Sequence, residues 1–233
     1  MSARVSVAIM AVPERAEHVA GMVRRLSQQI ESARRIGVEA FGVDVFVDWE
    51  KRGPWHCWRG AWLLHSNHPS THHVVIQDDI RFCDDFICVL TRLAEARPHC
   101  PVSGFLPRKS TELAHTQGKC WVRTRRFLWN QCLLMPTSLG DSAVAWIDRH
   151  ERKTVAREDD WRHHDDVRLA SYFASRKIPV FVAVPHPVEH IGDELGSVMG
   201  HNGPPGKRRA RVWIGENATG SDLPWHNLDY VSE

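Results

Sequence analysis

Three short runs of this chain are apolar almost from end to end: Val5 to Met10, Val43 to Val47, and Val74 to Ile76. A strand that faces water on one side alternates apolar with polar residues, whereas a strand covered on both faces does not. Between the runs the spacing changes. Pro13 breaks the first, and Glu14 to Glu31 then carries Val19, Met22, Val23, Leu26 and Ile30 along one helical stripe. After the second run, Trp58 to Leu64 has helical spacing with Ala61, Trp62 and Leu64 inward. After the third, Phe86, Val89, Leu90 and Leu93 mark the inner face of a helix that Pro98 closes. Buried strands alternating with amphipathic helices predict an α/β fold, with a mostly parallel, twisted central sheet flanked by helices. At 233 residues the chain suits one such core and is short for two.

Beyond Pro101 the alternation loosens. Residues 107–119 are polar and read as a loop. Cys120 to Leu128 and Gln131 to Met135 read as strands of a small mixed C-terminal portion. Ser138 to His150 is expected to be a helix with Val144, Ile147 and Trp146 partly buried. Asp165 to Ser175 is expected to be another, and Val180 to Val184 a last buried strand. The Gly- and Pro-rich residues 185–206 read as a loop or lid. The organisation expected is a domain over 1–206 and a basic extension over 207–233, packed on or over the site.

The first apolar run lacks a small-residue cleavage site and leads into a helical pattern, so it reads as a strand and not a signal peptide. No stretch approaches the roughly 20 apolar residues that span a bilayer. The expectation is a cytoplasmic protein without a membrane partner, monomeric or homodimeric. Six cysteines without a CxxC pair read as buried thiols. A net charge of +2 does not by itself point to nucleic acid, but Lys207, Arg208, Arg209 and Arg211 concentrate near one end.

Chemistry concentrates in three places. In THHVVIQDDIRF an apolar strand delivers Asp78 and Asp79 at its carboxyl end, where open α/β sheets build ligand sites. Adjacent carboxylates there lose hydration and repel, so a cation should compensate, such as Mg²⁺ or Mn²⁺ that also holds substrate phosphate. In HHDDVRLASYF, Asp165 and Asp166 open a helix, where a carboxylate can act as a general base. For both pairs, helix N-capping is the alternative, and the sequence leaves it open. In PHPVEHIGDELGSVMGH, His186, His190 and His201 follow a buried strand, and His190 is the imidazole placed to approach the carboxylates. The spacing of Gly192, Gly196 and Gly200, with Ser197 and His201 beside them, suits a loop that closes on phosphate or acceptor through backbone amides.

In this order, the motifs resemble the GT-A family of nucleotide-sugar glycosyltransferases. The resemblance runs over residues 4–201 through short motifs. It implies a single Rossmann-like domain that transfers a sugar from a nucleotide-diphosphate donor to an acceptor hydroxyl, using Mn²⁺ or Mg²⁺, by inversion. It assigns the donor nucleotide to Val12, Pro13, Arg15, Asp48, Trp58, Arg59, Gln77 and Asp78. It assigns the metal to Asp79 and His190, and the base to Asp166 or Asp165. Gln77 stands where the family's DxD pattern has its first carboxylate, which leaves the metal fewer ligands. A narrower resemblance, carried by AIMAVPER, THHVVIQDD and HPVEHIGDELGSVMGH, is to small bacteriophage and actinobacterial glycosyltransferases, some of which add sugars to hypermodified DNA bases. It implies double-stranded DNA as acceptor, with a hydroxymethylated pyrimidine receiving the sugar. Lys207, Arg208, Arg209 and Arg211 would meet its phosphates, and Trp121, Trp129 or Trp213 would stack on a flipped base.

Two other classes fit parts of the pattern. One is a metal-dependent hydrolase or nucleotidyltransferase built on His163, His164, Asp165 and Asp166. It lacks an HxH or HExxH spacing, and would consume donor without acceptor. The other is a non-catalytic nucleic-acid-binding module, whose binding would need neither metal nor sugar nucleotide.

Overall fold

A computed structural model describes residues 3–151, 164–196 and 208–233. The first half runs β1 (Val5–Ala11), a 3₁₀ turn at Pro13–Arg15, α1 (Ala16–Arg35), β2 (Ala40–Val47), α2 (Pro54–Leu63) and β3 (His72–Gln77). Then come β4 (Ile80–Phe82), α3 (Phe86–Ala96), β5 (Val102–Ser103), α4 (Lys109–Thr116), β6 (Trp121–Thr124) and β7 (Cys132–Pro136). The remainder comprises α5 (Thr137–Glu151), α6 (Asp165–Ser175), β8 (Val180–Ala183), β9 (Val188–His190), α7 (Gly192–Leu195) and β10 (Tyr230–Ser232).

Eight strands form one sheet in the order β10-β6-β8-β5-β7-β3-β1-β2. Four of the seven pairings are parallel: β1 with β2 and β3, β5 with β8, and β6 with β10. The strand pattern explains why helices cover both faces. Val5, Val7, Ile9, Ala11, Val74 and Ile76 enter a core roofed by α1 and α3, while Ala8, Met10 and Val75 enter a second core with α2, α5 and α6. Successive side chains of a strand point to opposite faces, so an uninterrupted apolar run feeds both cores at once. The run at Val5–Ala11 is therefore a buried inner strand between β3 and β2. All six cysteines are free thiols. Among the described residues no helix is long and apolar enough to cross a membrane.

Three expectations need correction. Residues 107–119 are not all loop, because Lys109–Thr116 is helical. Only Thr111 and Ala114 of α4 are buried and no side chain caps its start, so neither periodicity nor a cap marks it in the sequence. The strands after Pro101 are not a separate mixed portion. β7 inserts antiparallel between β3 and β5 and makes one sheet of the whole. Residues 185–206 are not simply a lid, since Val188–His190 forms β9, paired antiparallel with β4. The stretch 208–233 supplies β10 to the sheet edge and buries Trp225 in the first core.

Candidate active site

β1 and β3 run parallel, so Val12–Arg15 and Gln77–Asp79 emerge side by side at the carboxyl edge of the sheet. β7 runs the other way, so the residues before it, Asn130 and Gln131, arrive at this same edge. The backbone N–H of Gln77 donates to the Gln131 carbonyl at 3.0 Å. A separate device brings in His190. In the β4–β9 ladder Ile80 lies opposite His190, and the Ile191 N–H donates to the Asp79 carbonyl at 2.8 Å. The imidazole Nε2 then stands 3.3 Å from Asp79 Oδ2. Gly192 permits this approach. A Cβ there would lie 2.7 Å from His190 Nε2 and 3.0 Å from Asp79 Oδ2.

Asp78 and Asp79 are not spent on capping the following helix. Asp78 accepts the Val12 N–H at 2.8 Å and the Arg15 guanidinium at 2.5 Å, and the same guanidinium nitrogen is 3.2 Å from Asp79 Oδ2. Arg15 also donates to the Gly196 carbonyl at 3.0 Å. The compensating cation expected for the paired carboxylates is thus supplied in part by the chain itself. Burial pushes the Asp78 carboxyl up, and Arg15 offsets this only partly. Burial would also raise Asp79, but the His190 hydrogen bond and the charges of His190 and Arg15 outweigh it and hold Asp79 below its ordinary value. Arg15 and His190 both approach Asp79 through Oδ2, which leaves the other oxygen of that carboxylate unmatched. Asp79 Oδ1 is buried with no hydrogen-bond partner. An unpaired carboxylate oxygen beside an imidazole fits two ligands of a hard divalent ion, which would take its other ligands from phosphate and water. Among the described residues no group of three or more His, Cys, Asp or Glu is gathered as a complete metal cage.

The acidic start of α6 meets the same edge. Asp165 is almost fully buried and accepts from Asn130 Nδ2 at 2.7 Å. Burial first, and the neighbouring Asp166 second, push the Asp165 carboxyl up to about 7. Asp166 is half-buried, and its oxygens accept the N–H groups of Trp129 at 3.1 Å and Val167 at 2.8 Å. Cys57 reports how close the acids gather. Burial, with the charges of Asp48, Asp78 and Asp165 behind it, pushes its thiol up to about 12. Asp48 itself closes the turn before α2, accepting the N–H groups of Arg52 at 3.0 Å and Gly53 at 2.8 Å.

The structure therefore unites Val12, Pro13, Arg15, Gln77, Asp78, Asp79, His190, Asp165 and Asp166 at one edge, with Asp48 in the adjoining turn. It does not bring all the expected residues there. Trp58 is wholly buried between the stacked indoles of Trp55 and Trp62, and Arg59 is held by Asp148 of α5 at 2.8 Å. His186 is sealed in, its ring nitrogens 2.8 and 3.0 Å from the carbonyls of Ala183 and Leu106. Arg209 pairs with Asp193 and Glu194, both at 2.7 Å, Arg211 pairs with Glu112 at 2.9 Å, and Arg208 lies over the Trp129 ring at 4.7 Å. The basic cluster is thus largely engaged within the fold. Trp121 is fully buried against Trp225 and has no face to offer a base. Ser197, Gly200, His201, Lys207 and His163 lie outside the described residues. Sequence reasoning missed Asn130 and Gln131. Their signal, a polar pair heading an apolar strand, becomes informative only once β7 is known to run antiparallel.

No protein-family model matches the chain, and no curated protein matches it significantly.

Proposed function

We propose that this chain is a metal-dependent glycosyltransferase that takes a sugar from a nucleotide-diphosphate donor. The observation that carries the reading is the Asp79–His190 pair, formed by residues 111 positions apart and beside a carboxylate oxygen that lacks a partner. A bound Mn²⁺ or Mg²⁺ would supply Lewis-acid stabilisation to a departing diphosphate. Asp79 and His190 would hold that ion. Arg15 is fixed by Asp78 and Asp79, so its guanidinium would meet a diphosphate without being reoriented. Val12 and Pro13, on the turn after β1, border the donor.

Asp166 is the base in this reading. Two backbone N–H groups orient its carboxylate, and it keeps enough exposure to meet an acceptor hydroxyl. The more buried Asp165 is held by Asn130, the residue after Trp129, whose N–H bonds Asp166. The loop between β6 and β7 places exposed Arg125 and Arg126 a few residues before Trp129, whose N–H holds Asp166. Neither arginine makes an ion pair among the described residues. Cations there favour a polyanionic acceptor such as DNA over the cluster at 207–211.

The test is incubation with a panel of sugar nucleotides and hydroxymethylated DNA, followed by analysis of products. Asp166→Asn should lower transfer at least a hundredfold while donor binding stays within about twofold. Unchanged turnover removes Asp166 from the role. Donor consumption by the wild type at the same rate without acceptor marks a hydrolase instead.

A further inference from the structure

Among the described residues, eight buried side-chain nitrogen or oxygen atoms have no hydrogen-bond partner. Four of them, Arg15 Nε, Asp79 Oδ1, Asn130 Oδ1 and Gln131 Oε1, belong to the one sheet edge that carries the candidate site. Native folds satisfy nearly all such atoms, so a cluster of exceptions marks where something else completes the bonding. In the transferase reading a cation would complete Asp79 and a diphosphate Arg15. The two amide oxygens are not.

Asn130 and Gln131 are 2% and 4% exposed, and the NH₂ group of each already has a partner inside the protein. Asn130 Nδ2 donates to Asp165 at 2.7 Å, and Gln131 Nε2 reaches toward Gln77 Oε1 at 3.5 Å. Because an amide is planar, these contacts turn both carbonyl oxygens away from those partners. The pair is also placed between the two chemical poles. Gln131 touches Gln77, next to Asp78 and Asp79, and Asn130 touches Asp165 at the start of α6. In an in-line displacement the group being transferred sits between the leaving diphosphate and the base.

We infer that Asn130 and Gln131 form the subsite for the sugar ring of the donor, their carbonyl oxygens accepting hydrogen bonds from two of its hydroxyls. This rests on the transferase reading above. The chemistry selects the ligand part. The unpartnered atoms are the carbonyl oxygens, which cannot bond phosphate oxygens, since both only accept, and which match hydroxyls, which donate. A site built to bond a hydroxyl discriminates strongly against an analogue that lacks it, because the buried acceptor is then left unpaired. Asn130 and Gln131 would therefore decide which sugar is accepted.

Thermal-shift titrations with Mn²⁺ test this, comparing a nucleoside diphosphate with its sugar conjugate on the wild type, Gln131→Leu and Gln131→Met. Leu and Met fill the space without the buried Gln131 oxygen, and the Gln77 oxygen they release is only half-buried, so each ligand-free variant should melt close to the wild type. The bare diphosphate should bind all three equally, while the sugar conjugate binds the variants about tenfold more weakly. A conjugate lacking the matching hydroxyl should show the same tenfold loss on the wild type. Equal binding of the conjugate by wild type and variants overturns the inference and leaves the transferase reading standing. So does loss of the bare diphosphate in the variants, which would put the acceptor under the nucleotide. If no sugar conjugate shifts the wild type, the transferase reading itself fails.

Discussion

Replacing Gly192 by Ala would set a methyl group where His190 and Asp79 now approach each other. His190 is buried and its ring is packed near Phe105, so it has little room to retreat. Gly192→Ala should therefore fold with a loss of about 1–3 kcal/mol, the usual range for overfilling a packed site. It should bind a nucleoside diphosphate with Mn²⁺ at least tenfold more weakly than the wild type. Chemical denaturation and calorimetry on the same samples check both. Normal affinity in Gly192→Ala would mean that contact between His190 and Asp79 is not what the ligand uses. The cation that Asp78 and Asp79 demand was foreseeable from their adjacency, but that Arg15 supplies much of it depends on β1 and β3 being neighbours.

Among elements, α6 gives the sharpest consequence. Its first residue, Asp165, is buried at the sheet edge with its carboxyl pushed up to about 7. In the unfolded chain this group gives up its proton near pH 4. Between about pH 4 and pH 7 the folded state thus holds a proton that the unfolded state has released, and stability from this source falls as pH rises through that window. Asp165→Asn keeps the contact to Asn130 and has no proton to lose. Relative to the wild type, it should flatten the decline in stability between pH 4 and 7 and be more stable at pH 8, by roughly 2–4 kcal/mol. Urea melts across pH provide the check; parallel profiles would show that Asp165 is not buried as described. Elements also show what was legible. β1, α1, β3, α3 and α6 announce themselves, because a run that feeds two cores, or a stripe that faces one, leaves a pattern in the residues. α4 leaves none, since two buried side chains make no stripe. β4 and β9 span three residues each and are stabilised by each other, so neither is visible alone.

At the scale of the whole molecule, the arrangement follows from strand direction. Parallel β1 and β3 deliver their carboxyl ends to one edge, and antiparallel β7 delivers its amino end there too, so residues from positions 12 to 190 converge without a long excursion. The Gly- and His-bearing segment after β8 returns to that edge through the β4–β9 ladder. Glu189 binds the segment that follows, its Oε1 accepting the N–H groups of His190 at 2.9 Å and Ala210 at 2.8 Å. This explains why the basic residues near 209 are drawn into ion pairs beside the site.

Asp79 and His190 are expected to hold a divalent cation against a diphosphate. Electron paramagnetic resonance of Mn²⁺, titrated into the protein with a nucleoside diphosphate present, tests it directly by counting ions removed from solution. The wild type should take up one ion per chain beyond what the nucleotide alone binds, and Asp79→Asn and His190→Ala, shown to be folded, should take up none at the same concentrations. Equal uptake by both variants, or none by the wild type, would rule out a cation site at Asp79 and His190.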